Sequence, residues 1–182
     1  MKGESTIKFR AFNPRRNLPE SIRRKRGEAN FVGAFHRNFV NEMQGQGVGG
    51  RHFEMAGYGI ADFVWMDFGL DGSAKSGQTD AMVLTSFEMK LKDWRRACSQ
   101  AYRYSYFSDR SIIVLPPAVA DCAEQHLPFF KQMGIGLWSF EPKTKKIEKR
   151  FTPKASKAKN VAARSNAIAR ISRKIDLGKA GK

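Results

Sequence analysis

Hydrophobic and polar positions alternate along the chain with two different periods. Over residues 28–44, Phe31, Val32, Phe35, Phe39 and Val40 recur at helical spacing, which predicts an amphipathic helix with Glu28 on the edge of its apolar face. The stretch Gly45-Gln46-Gly47-Val48-Gly49-Gly50 is too rich in glycine for regular structure and ends that helix. A short strand is expected over 52–56, turning at Gly57 and Gly59 into a second strand, Gly59-Ile60-Ala61-Asp62-Phe63-Val64-Trp65-Met66. Residues 69–80 have the Gly/Ser/Asp composition of a hairpin loop extension. The next strand, 81–90, is apolar in its first half and charged at its end, Phe87-Glu88-Met89-Lys90.

From Asp93, a plausible N-cap, a helix is expected to about residue 108, with Trp94, Cys98, Ala101 and either Ser105 or Phe107 on its buried side. The continuous apolar run Ser111-Ile112-Ile113-Val114-Leu115, bounded by Pro116, has the signature of a strand buried on both faces. A helix over 118–133 and a strand over 134–140 complete a βαβ-like unit. Strands alternating with helices in this way define an α/β protein.

The two ends differ from this body. Residues 1–19 lack a sustained period, and Arg23-Arg24-Lys25-Arg26 breaks the pattern before the first helix, so 1–26 is expected to be a basic arm, extended or poorly ordered when free. Residues 145–151 suit an edge strand and 152–159 a basic linker. Residues 160–175, with Val161, Ile168, Ile171 and Ile175 among Arg164, Arg170, Arg173 and Lys174, suit a short amphipathic helix formed on binding. That helix has three possible destinations: the body, a second copy, or a nucleic-acid groove. The division expected is therefore a basic arm (1–26), a body (27–142) and a basic C-terminal tail (143–182).

Composition sharpens that division. The chain has 182 residues, enough for one domain with a real core, and a formal charge of +16. Residues 1–26 carry nine Lys/Arg against two Asp/Glu, net +7, and residues 143–182 carry fourteen against two, net +12. The body is slightly acidic, at −3. Such an excess at the ends points to a polyanionic partner, most plausibly nucleic acid. Two cysteines, Cys98 and Cys122, make no disulfide framework and are consistent with a reducing cytoplasm. The sequence has no apolar run long enough to span a membrane and no secretory leader pattern, so no membrane partner is expected. His36, His52 and His126 lack ligand spacing and zinc is not expected.

Candidate chemistry lies on the two charged strands. Alternation puts Glu88 and Lys90 on one side of their strand and Phe87 and Met89 on the other. Asp62 is the one carboxylate among the apolar residues of 59–66, and charges on buried strands are normally paired or metal-bound. If the two strands are neighbours, Asp62 and Glu88 meet with an ammonium beside them, a combination that suits magnesium and a phosphate ester. On the following helix Gln100 and Tyr104 lie one turn apart on one face, with Arg96 and Arg103 close to the same surface. A solvated polar face is the plainer reading of that helix. Glu54 is expected on an exposed edge strand. The glycines at 45–50 are not followed by Lys-Ser/Thr, so they do not form a phosphate-binding loop.

Asp62, then Glu88-x-Lys90 at the end of the next strand, then Gln100-Ala101-Tyr102-Arg103-Tyr104 on a helix, resembles the PD-(D/E)XK nuclease superfamily, and Gln100-x-x-x-Tyr104 is similar to the extra motif of its RecB-like branch. The likeness covers roughly residues 27–140. Ala61 stands where the nominal proline would be, and the gap from Asp62 to Glu88 is long. The resemblance implies a restriction endonuclease-like core, a central mixed sheet flanked by helices. It also implies metal-dependent DNA cleavage, with Asp62, Glu88 and the Met89 backbone carbonyl holding Mg2+, or Mn2+ in its place. Lys90 would orient or activate the attacking water, and Gln100 and Tyr104 would fix the phosphate or that water. Glu28 becomes a candidate for an outer or second-metal role, with Glu42 its weaker rival; a carboxylate complementing the helix dipole is the alternative. Arg96, Arg103, Tyr104 and the run Arg23, Arg24, Lys25 and Arg26 are the expected nucleic-acid contacts. A Holliday-junction resolvase-like homodimer, a restriction-type or mobile-element nuclease subunit within a larger complex, and a non-catalytic DNA-binding scaffold all remain open.

Overall fold

The computed structural model describes residues 26–43, 47–68 and 82–180, with side chains to residue 174. The expected basic arm before Arg26, with Arg23, Arg24 and Lys25, and the loop expected over 69–80 fall outside these residues. The described residues form one six-stranded mixed sheet flanked by five helices. The strands are β1 (Gly47–Met55), β2 (Gly59–Asp67), β3 (Val83–Met89), β4 (Arg110–Leu115), β5 (Ile135–Glu141) and β6 (Lys146–Phe151). Their order in space follows the sequence. β1, β2 and β3 form an antiparallel meander; β3, β4 and β5 run parallel, and β6 returns antiparallel on β5.

The parallel pairs require crossovers, supplied by α2 (Trp94–Tyr104) and by α3 (Pro117–Glu124) with α4 (Leu127–Met133). On one face, α1 (Arg26–Glu42) packs Phe31, Phe35 and Phe39 against Phe63, Trp65, Phe87 and Trp138. On the other, α2 and α3 cover β4 and β5 through Ala97, Ala101, Ala120 and Ala123. Small residues let these helices approach the sheet closely. α2 begins where Asp93 accepts a 2.9 Å bond from the Arg96 amide, the expected cap. It stops at Tyr104, four residues short of the expected end, because the chain turns back at once to bond Asp109 to Leu84 through both backbone and carboxylate.

The glycine stretch is the clearest correction. Gly47 to Gly50, expected to be irregular, are the first residues of β1 and pair with Val64 to Asp67. A Cβ on Gly47 or Gly49 would lie 2.3 Å from a β2 carbonyl oxygen and 2.8 Å from the Trp65 ring, so glycine is what lets the aromatic side chains close over that strand. A second correction is the single helix expected over 118–133. The chain makes two short helices instead, because Gln125 and His126 break the run and Pro128 starts the second as its N-terminal proline.

The C-terminal tail is part of the body. β6 completes the sheet, and α5 (Val161–Ala180) lays Ala163, Ala167, Ile168 and Ile171 on Phe53, Met55, Val64, Leu84 and Phe107. Of the three destinations open to this helix, the structure selects the body. Asn160 caps it, Arg164 pairs with Asp109 at 2.6 Å and bonds the Met82 carbonyl, and Arg170 bonds the Glu54 carbonyl. The basic residues of this helix thus include structural anchors.

Candidate functional site

The antiparallel ladder between β2 and β3 sets the site by ending early. Its last pair at this end is Phe63 with Phe87, so Asp62 and Glu88 stand opposite each other where regular pairing lapses. The Asp62 carboxylate takes the place of a ladder partner, with Oδ2 accepting the Met89 amide at 2.7 Å. Phe63, Phe87 and Met89 face α1, which turns Asp62 and Glu88 toward α2.

Around Glu88 the donors converge. Lys90 Nζ lies 2.6 Å from Oε1, and the Tyr104 hydroxyl donates to Oε2 at 2.9 Å while lying 2.8 Å from the Ile60 carbonyl oxygen. Glu88 has no exposed surface, Asp62 is 3% exposed and Lys90 8%. A carboxylate so deeply withdrawn from water needs strong donors, since an unpaired buried charge costs several kcal/mol or more. Lys90 and Tyr104 supply them.

Gln100 lies one turn before Tyr104 on α2 and is half-buried. Its Oε1 is fully buried and has no hydrogen-bond partner. A buried acceptor left unsatisfied costs about 1–3 kcal/mol, so this atom calls for a donor that the described residues do not provide.

The structure thus brings Asp62, Glu88, Met89, Lys90 and Tyr104 together. Tyr104, expected to contact nucleic acid, is instead fully buried with its hydroxyl on Glu88. Glu28 sits in the first turn of α1, on the helix that covers the opposite sheet face, and is half-buried. Its neighbour Gly27 approaches Leu91, directly after Lys90. Glu42, at the far end of the same helix, accepts from Asn38 at the surface. Glu54 is exposed on edge strand β1, as expected. Arg26, Arg96 and Arg103 are exposed.

One strained position gave no signal in the sequence. His52 has φ +59, in the left-handed region, and lies across β1 and β2 from Asp62, between the pairs Arg51 with Phe63 and Phe53 with Ala61. A non-glycine residue at positive φ inside a strand is a strained position of the kind that clusters at functional sites. Only the pairing register reveals that His52, Asp62 and Glu88 form a row across three strands.

Among the described residues, no group of three or more His, Cys, Asp or Glu side chains forms a metal-holding cluster. Two carboxylates and a backbone carbonyl are hard oxygen donors. Such a set fits magnesium, which keeps several waters and takes one or two carboxylates, and does not fit zinc. No family model, curated protein or solved structure matches this chain.

Proposed function

We propose that this protein is a metal-dependent DNA endonuclease of the PD-(D/E)XK type, built on a restriction endonuclease-like core. The observation that carries the reading is the opposition of Asp62 and Glu88 at the point where the β2/β3 ladder ends, with Lys90 on Glu88 at 2.6 Å. Asp62, Glu88 and the Met89 carbonyl would hold Mg2+ or Mn2+, which when bound neutralises the charge that a phosphate brings among carboxylates. Lys90 orients the water that attacks phosphorus and donates to the phosphate oxygen as its charge grows. Gln100 accepts from that water through its amide oxygen, which has no partner among the described residues, or donates to the phosphate through its amide nitrogen. Tyr104 acts one step back, holding the Glu88 carboxylate in place. The net charge of +16 favours a polyanionic substrate, and a two-fold dimer would allow paired cuts of the resolvase kind.

A second reading is favoured by one observation, the complete burial of Glu88. In it, the same residues form a structural polar network in a DNA-binding scaffold. Cleavage separates the two. Supercoiled, linear, single-stranded and four-way-junction DNA incubated with Mg2+ or Mn2+ should be cut by the native protein and left intact by Lys90→Ala and Asp62→Asn. Metal-dependent cutting that survives in either variant would remove the assigned site, and tight binding without cutting by the native protein would leave the scaffold.

A further inference from the structure

On its outer side α2 presents a second surface. Between α2 and α4 lies a groove of about 650 Å³, within the size range of ligand clefts, lined by Trp94, Arg95, Tyr102, Arg103, His126 and Phe129 among others, none of them acidic. Its chemistry is aromatic and cationic together. Phe129 is 43% exposed, far more than a core phenylalanine would be, and Trp94 stacks on His126 with ring centroids 5.2 Å apart. Arg95 lies over the Trp94 ring at 4.5 Å, and Lys159 over Tyr102 at 3.5 Å.

Guanidinium and ammonium groups poised over the half-buried rings of Trp94 and Tyr102 show that these faces attract cations and flat, delocalised groups. Aromatic and arginine side chains also serve protein interfaces, but the formal charge of +16 favours a polyanionic occupant. Rings for stacking bases, with cations beside them for the phosphates between bases, are the two components by which single strands are held without sequence readout.

We propose that the groove between α2 and α4 binds a single-stranded segment of nucleic acid, its bases stacking on the exposed Phe129 and its phosphates meeting Arg95 and Arg103. This rests on the nucleic-acid partner of the preceding section, but not on cleavage. Arg103 and Tyr104 are consecutive, so one helix places a strand-binding face on its outside and a ligand to Glu88 on its inside. A strand held by this helix would be kept beside the proposed cutting site.

The test uses the full chain with EDTA present, so that binding is read apart from cutting. Fluorescence anisotropy of an oligothymidine of about twelve nucleotides is compared with a duplex of the same length. Phe129→Ala should weaken oligothymidine binding at least about fivefold, leave its salt slope unchanged because no charge is lost, and alter duplex binding little. Phe129→Tyr should restore it. Arg103→Gln should weaken binding and flatten the salt slope. Unchanged anisotropy in Phe129→Ala, an equal loss on duplex, no oligothymidine binding by the native chain, or loss of a dimer on gel filtration in Phe129→Ala would each overturn the proposal. Failure of cleavage with this pattern intact would remove the nuclease reading and leave the groove standing.

Discussion

At the scale of single residues, the buried network around Glu88 makes the sharpest claims. Tyr104→Phe keeps the ring and removes only the hydroxyl, depriving the fully buried Glu88 Oε2 of that donor. It should lower stability by about 1–3 kcal/mol and slow any cleavage, with DNA affinity unchanged; urea melts and binding isotherms check this together. A fall in affinity at unchanged stability would return the phenol to the surface. His36 supplies a pH dependence. Burial, with Arg51 and Arg37 nearby, lowers its pKa from 6.5 to about 4. The unfolded chain therefore takes up the proton first as pH falls, and stability present above pH 6.5 is lost progressively down to about pH 4, by up to about 3 kcal/mol. His36→Phe should flatten that slope in melts run from pH 7 to 4, whereas an unaltered slope would assign the acid lability elsewhere. Asp62, Glu88 and Lys90 were legible in the sequence because charges on apolar strands stand out. The inward turn of Tyr104 was not, since helical spacing puts Gln100 and Tyr104 on one face without saying whether that face meets solvent or sheet.

At the scale of elements, two glycines of opposite meaning test the packing. Gly49→Ala would place a Cβ 2.3 Å from the Val64 carbonyl oxygen, and backbone cannot step aside as a side chain can, so β1 should shift at a cost of about 1–3 kcal/mol. Gly33, inside α1, meets only the flexible ends of Arg51 and Arg37, at 3.3 and 3.5 Å. Gly33→Ala should therefore be neutral or gain up to about 1 kcal/mol from helix propensity. Thermal melts that lowered both alike, or neither, would contradict this account of the sheet edge. The same contrast explains what could be read in advance. α1, β2, β3, α2, β4 and β5 follow from periodicity, because each buries a face with a regular repeat. The first half of β1 was hidden because its glycines have no side chains to show a period, and the need for them lies in Trp65, sixteen to eighteen residues away. α5 showed an apolar stripe, but a stripe does not name the surface that covers it. Ala163 and Ala167 against Phe53 and Leu84 do.

At the scale of the whole molecule, the charge is less separable from the fold than its distribution along the chain suggests. The C-terminal excess of +12 begins on β6 and continues along α5, and some of its cations are committed: Arg150 to Asp121, Glu124 and Glu148, Arg164 to Asp109. Deleting residues 143–182 would strip an edge strand and uncover Phe53 and Leu84, so weakened DNA binding by that truncation would report unfolding as much as lost phosphate contacts. The informative change is a small one. Lys154 and Lys157 lie on the exposed extended segment between β6 and α5, and no element rests on their side chains. If they meet phosphates, Lys154→Gln with Lys157→Gln should leave the melting temperature unchanged and reduce the slope of log K against log salt on duplex DNA by about 1.8, two contacts at about 0.9 each. An unchanged slope with an unchanged melt would move the phosphate-binding surface onto other parts of the chain, with the exposed Arg96 and Arg103 of α2 the next residues to neutralise.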